Sequence, residues 1–134
     1  MKAVELCRPG ARWAEVGNAV ASVAEPAGFS VVRNFSGHGL GKLFHQAPAL
    51  PHHAGSDIGG VMLPGQIFTI EPIITEGKHE NLVWPDTWTS ATKDGKRSAQ
   101  YRHTVLITEK GHLVLTDRTS SSPSLNFGQD KKKA

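Results

Sequence analysis

The chain has 134 residues, 38% hydrophobic and 20% charged, enough for one globular domain and too few for two ordinary ones. Its formal charge of +3 is matched by Lys131, Lys132 and Lys133 alone. No nucleic-acid footprint is implied, since that needs a basic stripe with interleaved aromatics.

Cys7 is the one cysteine, which excludes an intrachain disulfide and a thiolate zinc cluster. No run reaches the length of a membrane helix, and residues 1–5 lack the apolar centre of a signal peptide. A cytoplasmic protein is the expectation. Residues 12–25 read as an amphipathic helix. Trp13, Val16, Val20, Val23 and Ala24 recur at helical spacing, Pro9 and Gly10 precede it, and Pro26 with Gly28 end it. Residues 29–35 follow as a short strand.

Next comes a run from Ser36 to His45 with three glycines, Gly37, Gly39 and Gly41, and two histidines, His38 and His45, seven residues apart. That odd separation puts the rings on opposite faces of a straight strand, so a looped path is expected. Residues 47–57, with Pro48, Pro51, His52 and His53, read as irregular. Pro64 and Gly65 mark a turn into a strand over 66–71, where Ile67, Thr69 and Glu71 share one face and Phe68 and Ile70 the other.

Residues 76–85 read as a polar loop. Strands over 88–92 and 97–108 are expected to form a hairpin across Lys93–Lys96. In the longer one Tyr101, His103, Val105 and Ile107 alternate with Arg102, Thr104 and Leu106. Residues 109–111 turn into a last strand, 112–115. From Thr119 the chain is rich in serine, proline and lysine, the composition of a disordered tail. One helix and about six strands give an α+β domain with a largely antiparallel sheet, which one helix covers on a single face.

Glu71 closes an apolar strand, and a carboxylate buried there unpaired would cost several kcal/mol. Imidazole and carboxylate together are a common ligand pair for a divalent metal. The plainer alternative is a loop histidine and a strand-end glutamate. His52, His53 and His79 read as loop histidines.

The ordered set Gly37-His38-Gly39-Leu40-Gly41, Phe44-His45, Thr69-Ile70-Glu71-Pro72, and residues 84–89 through 93–101 closely resembles methionine aminopeptidase type I over residues 1–118. The resemblance implies a partial pita-bread fold with a curved sheet. The chain would be the C-terminal of two similar halves, beginning inside a helix, with residues 119–134 as a polar, basic tail. It implies metal-dependent removal of N-terminal methionine from nascent polypeptides, with Co, Mn, Zn or Fe as the divalent ion. By similarity His38 and Glu71 are metal ligands, and Glu71 handles the proton of the attacking water. His45 would hold the scissile carbonyl, and Phe44 and Trp88 would line the methionine pocket.

The sequence also departs from that family. Its two aspartate ligands belong to the N-terminal half. Where the family reads Gln-Tyr/Phe-Glu-His-Thr, this chain has Gln100-Tyr101-Arg102-His103-Thr104, so Arg102 replaces a bridging glutamate. Ser36 and His53 stand where cysteine and tyrosine are usual. A guanidinium about 4 Å from a divalent cation costs about 8 kcal/mol at an effective dielectric of about 20, and arginine does not shed its proton. Arg102 is expected to pair with Glu71 or, alternatively, to point into solvent.

The expected function is therefore a methionine aminopeptidase homologue, truncated and inactive as a lone chain. The alternative is a binding module, a pseudoenzyme that holds an apolar N-terminus or docks on a partner protein. Self-association, or union with an N-terminal half, is expected from apolar area left uncovered.

Overall fold

The computed structural model describes residues 1–124. A short helix α1 (Lys2–Glu5) leads into α2 (Ala14–Ala24). Ten strands follow: β1 (Ser30–Val31), β2 (Ser36–Leu40), β3 (Gln46–Pro51), β4 (Ile67–Ile70) and β5 (Ile73–Thr75), then β6 (Asn81–Val83), β7 (Ser90–Thr92), β8 (Ser98–Gln100), β9 (His103–Ile107) and β10 (His112–Val114). Every pairing between them is antiparallel. The main sheet runs β10-β9-β4-β2-β3; β1-β5-β8 forms a smaller sheet, and β6-β7 a two-stranded ribbon.

Helix α2 lies within the span its periodicity predicts, and of the expected inward residues Trp13, Val16 and Ala24 are buried and Val20 packs against the core. Val16, Ala19, Ala21 and Ala24 are buried, while Val23 is exposed. Small alanines let the helix sit close to the sheet. Gly17 is one such position, because a Cβ there would meet the carbonyls of Pro51 and His53. Trp13 meets Phe68 edge to face, with centroids 4.9 Å apart. Around that pair Leu50, Met62, Val105 and Ile107 complete a dry core, held by apolar burial.

Five expectations need correction. The glycine-rich segment is largely strand: residues 36–40 form β2, and only the stretch to His45 loops. Gly37 and Gly39 serve close packing, since a Cβ at Gly37 would strike the Thr69 carbonyl and one at Gly39 the Ala47 carbonyl. Within the stretch 47–57 read as irregular, residues 47–51 belong to β3; prolines are tolerated there because β3 is an edge strand. The polar loop of 76–85 contains β6, which pairs β7.

The long strand expected over 97–108 is two strands in two sheets. Its first part, β8, pairs β5, and its second, β9, pairs β4. The expected hairpin between 88–92 and 97–108 does not form. Tyr101 and Arg102 lie in the break between β8 and β9, which frees Arg102 from the ladder at the end of β4.

Of the expected tail, residues 119–122 make a turn in which Ser122 donates its N–H to the Thr119 carbonyl at 3.0 Å. Residues 125–134, with Lys131–Lys133, lie outside the described residues.

Candidate functional site

Three adjacent strands of the main sheet bring His38, Glu71 and Arg102 together. In the β4–β9 register Ile70 faces His103, so the residue that follows β4 and the residue that precedes β9 are neighbours. Those are Glu71 and Arg102. On the other side of β4, Gly39 faces Phe68, which sets His38 beside Thr69.

Thr69, fully buried, links them. The His38 backbone N–H donates to Thr69 Oγ1 at 2.9 Å, and the same hydroxyl donates to Glu71 Oε1 at 2.6 Å. His38 Nε2 lies 3.5 Å from Glu71 Oε1. Arg102 Nη1 stands 3.7 Å from Glu71 Oε2, and Nη2 stands 3.3 Å from His38 Nε2. The Glu71 side chain is 13% exposed and that of Arg102 40%.

The partners of His38 fix its tautomer. Nδ1 faces the Gly39 carbonyl at 3.1 Å, and a carbonyl only accepts, so Nδ1 carries hydrogen. Nε2 of the neutral ring then presents its lone pair, which the nearest donor, Arg102 Nη2, takes.

His52, read from sequence as a loop histidine, is buried at the end of β3. Its Nε2 accepts the Glu71 backbone N–H at 3.2 Å. Burial, with a smaller contribution from His53, lowers its pKa to about 4. A neutral His52 thus positions Glu71 from behind, while Gln100 Nε2 donates to the Glu71 carbonyl at 3.2 Å. No local pattern marks His52, because its partner is nineteen residues away. Thr69 was visible as a face-mate of Glu71 on the strand, though not as the link to His38.

The loop after β2 carries His45 back over His38, with ring centroids 4.2 Å apart. Phe44, 63% exposed, lies 5.4 Å from the His38 centroid, and the Arg102 guanidinium carbon sits 5.7 Å from its ring centre. Ser36, His38, His45, Gln46, Glu71 and Arg102 line an open cleft of about 580 Å³.

Trp88 is elsewhere. It is 90% exposed on the turn joining β6 to β7 and is not among the residues lining the cleft. Asp86 builds that turn, its carboxylate accepting the Thr89 hydroxyl at 2.5 Å and the N–H groups of Trp88 and Thr89. These bonds, that of the Thr89 hydroxyl first, hold the Asp86 carboxyl below its usual range. The structure therefore gathers His38, His45, Phe44, Glu71 and Arg102 and leaves Trp88 apart.

The model of metallopeptidase family M24 matches residues 1–109. The chain belongs to that family. It is similar to methionine aminopeptidase 1 of Dictyostelium discoideum, 52% identical over 120 residues, covering 90% of this chain and 33% of that protein. Methionine aminopeptidase 1b of Plasmodium falciparum is 49% identical over 127 residues, covering 95% and 25%. The solved methionine aminopeptidase of Thermotoga maritima superposes with a TM-score of 0.82 at 38% identity, over 87% of this chain and 47% of that one. This M24 chain thus spans a quarter to a third of those curated relatives, and its α+β fold is part of the pita-bread arrangement.

The family implies a divalent metal, and the residues of this chain do not fit one. Among the described residues no group of three or more histidine, cysteine, aspartate or glutamate side chains converges. Catalytic sites of this kind ordinarily need three protein ligands and an open position. His38 and Glu71 supply two donors, and the third group between them is a guanidinium.

Proposed function

We propose that this M24 chain is a methionine aminopeptidase homologue that is inactive by itself. The family's reaction, removal of an N-terminal methionine with a divalent metal, is the activity from which it derives. One observation carries the reading: Arg102 lies within 3.7 Å of both His38 and Glu71, where the resemblance implies a third acidic ligand. By similarity His38 and Glu71 stand at the family's metal-ligand positions, His45 at that of the carbonyl contact and Phe44 at that of a pocket wall; Trp88, matched by the same motif, stands apart from the cleft in this chain. Of these roles, metal ligation is the one that Arg102 opposes.

Residues 1–118 are the folded unit in this proposal. The nascent-chain substrate and a cytoplasmic location belong to it as well; no helix among the described residues is long and apolar enough to cross a membrane. Association with a second copy or with an N-terminal half is part of the same reading. An apolar groove of about 550 Å³, lined by Val20, Val23, Phe29, Ile70, Pro72 and Ile74 among others, supports it.

The second reading is a binding module. It is favoured by Phe44, a large apolar side chain left exposed beside His38 and Arg102, where an apolar N-terminus could rest. Incubation of the purified chain with Co, Mn, Zn or Fe and a Met-Ala-Ser peptide separates activity from its absence. No methionine should be released above a metal-only blank, and release that His38→Ala abolishes would refute the proposal.

A further inference from the structure

We infer that Arg102 is a built-in cation, a tethered guanidinium that takes the lone pair of His38 and the charge of Glu71 and so closes this cleft to divalent metal. The inference deepens the reading of the same site, but its test reads metal binding rather than peptide turnover.

Three contacts fix the guanidinium. Nη2 approaches His38 Nε2 at 3.3 Å, Nη1 approaches Glu71 Oε2 at 3.7 Å, and the central carbon lies over the Phe44 ring at 5.7 Å. The first two are the atoms a metal would need. A histidine with Nδ1 bonded to a backbone carbonyl is set to ligate through Nε2, and here that lone pair already has a donor. Glu71 is nearly buried, and a carboxylate so placed requires a compensating charge. Arg102 supplies it from within the chain.

The backbone is arranged to allow this. Were β8 and β9 one continuous strand, residue 102 would be committed to a single ladder. The break at 101–102 instead sends β8 to β5 and β9 to β4, leaving the Arg102 side chain over the end of β4. Thr69 satisfies the inner side of Glu71, so its outer oxygen is the one left facing the guanidinium.

The test titrates MnCl2 and ZnCl2 into the purified full chain by calorimetry and follows thermal unfolding with each metal at about 1 mM. Wild type and Arg102→Lys, which keeps the charge, should show no binding that depends on His38 and no metal-induced gain in Tm. Arg102→Glu should bind manganese at least about tenfold more tightly than wild type and unfold several degrees higher with metal. His38→Ala added to that variant should remove both effects.

Arg102→Gln, should the glutamate variant not fold, must still bind more tightly than wild type. The imidazole 15N shifts of wild-type His38 give a further readout: they should report hydrogen on Nδ1 and stay unmoved by zinc. A His38-dependent metal site in wild type as tight as in Arg102→Glu would overturn the inference. So would Arg102→Gln and Arg102→Glu both failing to gain affinity.

Discussion

The Thr69 hydroxyl donates to Glu71 Oε1 at 2.6 Å while accepting the His38 backbone N–H at 2.9 Å. One buried side chain therefore sets the distance between the two groups that matter most in the cleft. Thr69→Val keeps the shape and removes both bonds, orphaning a buried donor and a nearly buried carboxylate oxygen. The expected loss is about 1–3 kcal/mol of unfolding free energy, read by urea titration. A change below about 0.5 kcal/mol would mean that the link carries no weight.

His52 gives the fold a pH dependence of known sign. Its pKa is lowered to about 4 in the folded chain against the ordinary histidine value of 6.5, so between those values the unfolded chain holds more protons. Stability from this group is complete above about pH 6.5 and falls as pH drops toward 4. Between about pH 7.5 and 5 the loss should be about 2 kcal/mol, at about 1.4 kcal/mol per pH unit. Comparing urea midpoints of wild type and His52→Gln at both values isolates it, because glutamine can still accept the Glu71 N–H without titrating. Equal pH dependence in the two proteins would show that His52 is not held neutral.

Gly37 and Gly59 should respond differently to the same methyl group. At Gly37 a Cβ meets the Thr69 carbonyl and the His52 ring, whereas at Gly59 it meets nothing within 4 Å. Gly37→Ala should cost about 1–3 kcal/mol and displace the strand that bears His38. Gly59→Ala should lie within about 0.5 kcal/mol of wild type. Denaturant midpoints for the pair decide it, and a harmless Gly37→Ala would place the β2–β4 contact wrongly.

Much of this fold could be read from local pattern because its strongest elements are local. Helix α2 announces itself by spacing and by Pro26, and the turn at 109–111 by Gly111. The strand holding Phe68 and the one holding Val105 alternate clearly, and both sit in the middle of the sheet. What escaped the sequence was decided at long range. Pro48 and Pro51 look like strand breakers, yet β3 lies at an edge where one row of N–H groups needs no partner. The division of residues 97–108 depends on which strand each half meets, β5 or β4, and neither half carries a mark of its own. Trp88 shares a motif with residues near the cleft in sequence, but its hairpin pairs only with itself. His52 resembles His53 and His79 in composition alone; only the fold buries it against Glu71.

Diffraction from crystals grown with manganese, collected near its absorption edge, is the most direct measurement. No anomalous peak is expected between His38 Nε2 and Glu71, with the Arg102 guanidinium in density within hydrogen-bonding reach of the imidazole. A manganese peak about 2.2 Å from both side chains, with Arg102 turned away to solvent, would contradict it.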